Sequence, residues 1–283
     1  MNVSRRLVVL RNVLKSWLIL ATLSAVFGLV GWQLGGYRVA LLFVASIVLL
    51  GGGIYAYADR IVMGMLGARE MVLAEAPALH STVERLSVRA GVIKPKLYVL
   101  ADSYPRALSA GRGAGGGSGL ALSVGLLGVA SPAELEGIVA HELAHLRHRD
   151  VLVQTIASIG ATTIVESSRI GGALQRALLF VLGPVAAAFV HLLLSTKREF
   201  EADRFAAELC DSPHGLADAL VRLEQAMELV PFEGSPATEP LYTTSPFAEE
   251  GLAALFVTHP PVSERVRRLR ELDPDWREKL RAA

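Results

Sequence analysis

The chain has 283 residues, 52% of them apolar and 19% charged, with 28 Lys and Arg against 27 Asp and Glu for a formal net charge of +1. That balance excludes a disordered polyelectrolyte and gives no basic footprint, so no nucleic-acid partner is expected. The lone cysteine, Cys210, excludes an internal disulfide and suits a reducing compartment, and the length allows one domain of ordinary size beside a set of membrane helices.

Two apolar runs open the chain, Trp17 to Leu34 and Val39 to Ala58. Each approaches the roughly 20 helical residues that cross a hydrocarbon layer about 30 Å thick. Arg5, Arg6, Arg11 and Lys15 precede the first run, Arg60 and Arg69 follow the second, and the short connection holds only Arg38. The asymmetry predicts a helical hairpin with both ends in the cytoplasm. No small-residue cleavage site follows the first run, which argues against a removed signal peptide.

A polar region follows. Pro77 to Arg89 reads as an amphipathic helix opened by proline and stopped near Gly91, and Lys96 to Leu100 alternates like a strand. A second strand is expected at Leu120, Ala121, Leu122, Ser123 and Val124. Between the two, Gly111 to Gly116 matches GxGxxG, but a strand follows it instead of a helix, so a mobile loop is expected and not a dinucleotide site.

Ser131-Pro132-Ala133-Glu134 then carries the signals of a helix start: an N-cap serine, proline at the first helical position and a carboxylate in the first turn. Leu135, Ile138, Val139, Leu143 and Leu146 supply an apolar side. Within this helix lies His141-Glu142-Leu143-Ala144-His145. Two histidines four apart share one face and can grip one metal ion, and Glu142 beside the first stands where a general base for the attacking water belongs. Imidazole is a neutral borderline ligand that leaves zinc its full charge, which is why this chemistry uses it.

Two further apolar stretches, Val151 to Val165 and Ala177 to Leu194, predict a second hairpin at or in the membrane; Glu166, Pro184 and His191 interrupt it. It returns the chain to Glu199 and Asp203, four apart on another helix. A catalytic zinc needs a third protein ligand. His148 competes for that place, yet the longer HExxH pattern that continues to a third histidine finds Val151 in its way, so Glu199 is the better candidate. Asp203 would then accept the distal N–H of a liganding histidine, His141 first. A helix at His214 to Val230, a proline-containing segment from Pro231 to Gly251 that could cover the cleft, and a basic helix around Arg265 complete the chain. His80 and His214 read as surface histidines.

These residues resemble the HtpX-type membrane zinc metallopeptidases, HExxH gluzincins related to the CAAX prenyl proteases. The similarity runs through Gly67-Ala68-Arg69-Glu70, Glu136-Gly137-Ile138-Val139-Ala140 before HExxH, Arg149-Asp150 after it, and Thr258-His259-Pro260-Pro261 with Glu264-Arg265-Val266 near the end. Arg106-Ala107-Leu108-Ser109-Ala110-Gly111 departs from the Asn-Ala-Phe run usual there, and Thr196 stands where arginine is common.

The resemblance implies an α+β, mostly helical, zincin-like protease domain with a small β-sheet, joined to transmembrane helices. It implies one Zn²⁺ per chain on His141, His145 and Glu199, with Glu142 as base. His259 would take part in catalysis and Arg265 would stabilise the transition state, one or both supplying a donor to the developing oxyanion. Zincins commonly dock extended substrate on a strand beside the metal helix, which gives Leu120 to Val124 that role. The expected organisation is a transmembrane hairpin (1–60), the first part of the zincin domain (61–150), a second hydrophobic hairpin (151–195) and the second part of the domain (196–283). The expected function is cleavage of membrane or misfolded proteins at the cytoplasmic face of the inner membrane, so the lipid bilayer and protein substrates are the partners. A CAAX-type processing protease would need a larger membrane chamber than four segments enclose. A non-catalytic scaffold or signalling protein would not need a complete ligand set.

Overall fold

The computed structural model describes residues 3–167, 174–227, 229, 241, 243 and 255–275. The first apolar runs form one recorded helix, α1 (Val3–Met65), which reverses at Gly35 and Gly36. Gly36 adopts φ 68 and ψ −160, a conformation that glycine alone reaches without strain. The two arms then pack antiparallel. A Cβ on Gly31 would lie 2.8 Å from Ala40, one on Gly51 would meet Leu20 at 2.7 Å, and the Phe27 and Phe43 rings stand 6.4 Å apart. By length and composition α1 contains the one described helix able to cross a membrane unaided.

The end of α1 leaves the hairpin and joins the protein core. Val62 and Met63 pack with Tyr98, Leu100, Leu108, Ala110, Ala121 and Leu241 on one face of a four-stranded sheet. The strands are β1 (Arg69–Glu70), β2 (Lys96–Leu100), β3 (Ala107–Gly111) and β4 (Ser118–Ser123), in the order β1-β2-β4-β3. β2 and β4 run parallel, and the outer pairs are antiparallel. Alternation along each strand sends Leu97, Ala107, Leu120 and Leu122 to the opposite face. There they meet α2 (Pro77–Ala90) and α4 (Pro132–His148).

The strand expected at Leu120 to Val124 exists with shifted ends, since Val124 already opens the short helix α3 (Val124–Val129). β3 escaped the sequence pattern because Ala-Leu-Ser-Ala-Gly has almost no β-branched or aromatic content. The glycine-rich stretch is the hairpin connection between β3 and β4. It is seated against the end of α4, where a Cβ on Gly113 would meet the Leu146 carbonyl at 3.0 Å.

α4 is the central element and is buried on nearly all sides from Gly137 to Leu146. Its start is a full capping box: Ser131 accepts from the Glu134 N–H, and Glu134 accepts from the Ser131 N–H at 2.7 Å. Arg222 adds a 2.8 Å ion pair to Glu134. Arg149, at φ 59, ends α4 in a left-handed turn that leads directly into α5 (Asp150–Ser167). α5 pairs with α6 (Gln175–Leu193), in which Pro184 is accommodated, and the chain bends by 49° into α7 (Lys197–Leu209). α8 (His214–Met227) and α9 (Val262–Glu271) close the other side. His214 is not a plain surface histidine, because it pairs with Asp273 at 3.0 Å beyond α9.

Backbone contact between α4 and α8 sets the helix positions. A Cβ on Gly137 would fall 2.5 Å from the Leu216 nitrogen, and one on Gly215 would fall 2.4 Å from the Ala133 carbonyl oxygen. Alanine is favoured over glycine in a helix by about 1 kcal/mol, whereas overpacking against unyielding atoms costs about 1–3 kcal/mol. Because both atoms struck are backbone, the clash wins. Gly137→Ala should lower the thermal midpoint of the detergent-solubilised protein by several degrees. Gly128→Ala in α3, where nothing lies within 4 Å, should leave it unchanged or raise it.

Candidate active site

His141 and His145 project from α4 towards Glu199 at the first turn of α7. All three are buried, and their ligand atoms lie within 4.8 Å of one another. The closest atoms form a triangle. His141 Nε2 and His145 Nε2 are 3.2 Å apart, and Glu199 Oε2 lies 3.5 Å from the first and 3.7 Å from the second.

The Nδ1 atoms define the tautomers. His141 Nδ1 lies 3.0 Å from Asp203 Oδ1, and His145 Nδ1 lies 3.4 Å from Asp150 Oδ2. With a cation bound, each imidazole can keep its proton on Nδ1 towards its carboxylate and turn a bare lone pair inwards. Two lone pairs and a carboxylate facing one point repel one another unless a cation lies among them. Ligands about 2.0–2.1 Å from a tetrahedral zinc stand about 3.3–3.4 Å apart, which the observed edges bracket. Neither oxygen of Glu199 makes a hydrogen bond of good geometry among the described residues. The donor set thus fits a zinc-type ion.

Electrostatics support the same arrangement. Burial by itself would raise the Glu199 carboxyl, but positive charge on the imidazoles of His259 and His145 around it, standing in the place a metal's charge would take, holds it well below the usual carboxylate range. Arg198, also buried, brings Nε within 3.1 Å of Glu199 Oε1, the oxygen turned away from the triangle. Asp203 is likewise opposed by burial, and the Arg265 guanidinium brings it down to about 2. Arg265 Nε and Nη2 bond the two Asp203 oxygens at 2.8 and 2.6 Å.

Glu142, beside the first histidine, is held at both oxygens. Ser109 Oγ donates to Oε2 at 2.8 Å and Thr243 Oγ1 donates to Oε1 at 2.7 Å. Ser109 reaches it because strand alternation places Ala107 and Ser109 on the α4 side of β3. Glu142 and Glu199 are 2% and 0% exposed, so the site is closed to solvent.

The structure brings together His141, Glu142, His145, Glu199 and Asp203, and adds His259, whose Nε2 stands 3.6 Å from Glu199 Oε2. His148 is buried against Phe205, with ring centroids 5.6 Å apart, and is not in the metal-binding cluster. Arg265 is bonded to Asp203 and to the Thr243 carbonyl, and its Nη2 also lies 3.4 Å from His141 Nδ1 and 3.5 Å from His141 Nε2, beside the metal-binding cluster. One expectation changes. Leu120 to Val124 cannot dock substrate by edge addition, because β4 is paired on both sides and Val124 is helical. The terminal strand beside α4 is β3.

Sequence reasoning missed Asp150, Ser109, Thr243 and Arg198. For Asp150 a signal existed, since a left-handed cap can turn a carboxylate five positions on back towards His145. Ser109 and Thr243 carried none, because they meet Glu142 from 33 and 101 residues away. Of the segment from Pro231 to Gly251, only Leu241 and Thr243 are among the described residues.

Comparison with known proteins gives a consistent set of likenesses. The pattern of peptidase family M48 matches residues 73–273. A protease HtpX homolog of Pelotomaculum thermopropionicum is 38% identical over 278 residues, covering 91% of this chain and 98% of that one. One from Salinibacter ruber is 36% identical over 271 residues, covering 92% of this chain and 98% of its own. The crystal structure of S. mikatae Ste24p aligns with 95% of this chain and 66% of that chain at 17% identity and a TM-score of 0.49.

The Asp203–Arg265 pair should behave as a unit. Removing one partner of a fully buried ion pair strands the other charge and costs about 3–5 kcal/mol, while replacing both by apolar groups costs much less. Asp203→Leu and Arg265→Met should each destabilise the metal-free protein strongly in chelator, and the double variant should recover most of the loss. Additive losses in that cycle would show that the two charges do not depend on each other.

Proposed function

The chain belongs to peptidase family M48, among the HtpX-type metallopeptidases, and from that premise we propose that it is a membrane-anchored zinc endopeptidase. It would hydrolyse peptide bonds of membrane or misfolded proteins at the cytoplasmic face, a quality-control function. The observation that carries this reading is the triangle of bare donors from His141, His145 and Glu199, with a carboxylate, Glu142, immediately beside it.

The three donors would hold one zinc per chain. A bound zinc supplies Lewis-acid polarisation of the scissile carbonyl and lowers the pKa of a water in the site from about 15.7 to roughly 7. Glu142 would take a proton from that water and pass it to the leaving amine, a general base and then a general acid. Ser109 would keep Oε2 aimed, leaving Oε1 for the water once Thr243 withdraws. Asp203 and Asp150 would fix the histidine tautomers, with Arg265 acting through Asp203. His259, next to Glu199, is the group best placed to donate to the oxyanion.

The membrane role rests on α1. Its arms expose Trp17, Leu18, Leu29, Leu41, Leu42, Leu49 and Leu50 in a continuous apolar surface that water would not tolerate and lipid would cover. Residues 1–60, with 151–195 as a second embedded hairpin, would anchor the domain, and the distribution of Lys and Arg would keep it in the cytoplasm. Proteins at that surface would be its substrates.

Two experiments test this. Purified protein should carry about one zinc per chain, and Glu199→Gln should lower that occupancy. Glu142→Gln should keep zinc and lose cleavage of an unstructured test protein by several orders of magnitude; equal cleavage by both zinc-loaded proteins would sink the mechanism.

For topology, a probe cysteine at Gly35 or Gly36 should react with an impermeant thiol reagent added outside intact cells. One at Gly113 should react only after the membrane is opened. The reverse pattern would overturn the orientation.

A further inference from the structure

A protease site must admit a polypeptide next to its base, yet Glu142 is buried here and Thr243 covers one of its oxygens. Its hydroxyl occupies one oxygen of Glu142. Its backbone N–H donates to the Ala107 carbonyl at 3.3 Å, and its hydroxyl contacts the same carbonyl at 3.2 Å. The Arg106 carbonyl is taken by Ser123 of β4, so by alternation the Ala107 carbonyl lies on the outer edge of β3. That is the edge onto which an extended chain would add. Leu241, two residues away, is buried with Val62, Met63 and Leu108 and anchors the segment, while Arg265 holds the Thr243 carbonyl.

We propose that Leu241 and Thr243 occupy the substrate's place in the resting protein, Thr243 bonding the β3 edge and capping Glu142, so that a polypeptide must displace them before cleavage. The inference rests on the protease reading above and describes how that site is regulated. If the segment covers the edge in 90–99% of molecules, intrinsic affinity for an extended chain is masked by about 10–100-fold. The substrate then competes with an internal contact. Folded proteins, with no free extended chain to offer, are excluded, whereas unfolded segments gain entry.

The test uses the full chain in detergent with Cys210→Ser, so that one introduced thiol reports. Ser109→Cys, under the segment, should react slowly with a maleimide, and Leu241→Ala should speed that reaction at least about tenfold with zinc content unchanged; an unchanged rate would overturn the proposal. Thr243→Cys is then placed in zinc-loaded Glu142→Gln protein, which holds substrate uncut. Saturating reduced, carboxymethylated α-casein, with binding followed by fluorescence anisotropy, should accelerate labelling at least about tenfold. Binding with no change in labelling would also overturn it. Failure of casein to bind even the Leu241→Ala variant would instead sink the protease reading, and this inference with it. In the active enzyme, Leu241→Ala should lower KM several-fold at unchanged kcat; an unchanged KM would overturn the proposal.

Discussion

Two imidazole lone pairs and a carboxylate converge on one point in a volume that excludes water, and this single constraint organises the protein. Unpaired groups of this kind repel one another and are costly to bury. They are tolerable only if their orientations are imposed by neighbours and a cation relieves them. The surrounding structure does the imposing. Asp203 and Asp150 hold the outer nitrogens of the two histidines, and Arg265 holds Asp203. Arg265, Asp203 and His141 form a chain of contacts that leads from α9 through α7 to α4.

Holding these groups within a few tenths of an ångström requires rigid helices at close range. The capping box starts α4 at a defined residue, and the Gly137–Gly215 approach presses it on α8 one turn before His141. The left-handed Arg149 ends it where Asp150 can turn back. α7 is positioned by the bend from α6, so the helix that carries Glu199 is the continuation of an apolar one. The end of α1 packs on the sheet that carries Ser109. The apolar helices and the metal-binding cluster are therefore parts of one packed body, which suits the proposed action on chains at a lipid surface.

Around Glu142 the structure satisfies two demands that conflict during turnover. A carboxylate buried in the resting state needs donors for both oxygens, and Ser109 and Thr243 supply them. A working base needs one oxygen free for water. The two hydroxyls come from different sources, Ser109 from a strand of the sheet and Thr243 from 101 residues away, and under the proposed displacement the departure of Thr243 frees Oε1 and the β3 edge together.

What was legible in the sequence shares one property, local periodicity. The i, i+4 spacing of His141 and His145 and of Glu199 and Asp203 puts each pair on one face of a helix whatever surrounds it. The Ser-Pro-x-Glu start of α4 and the two apolar runs of α1 are equally local. Tertiary structure alone decided the rest. That Arg265 is buried against Asp203 and beside His141 follows from packing, since nothing in its local spacing points there. Leu120 to Val124 had the composition of a strand, but only sheet order shows that β4 is interior and that β3, poor in strand-forming residues, holds the edge beside α4. Ser109 and Thr243 lie 33 and 101 residues from Glu142, and no spacing rule joins them to it. A helix fixes which side chains share a face, because 3.6 residues make a turn. Which face meets which partner is set by packing the whole chain.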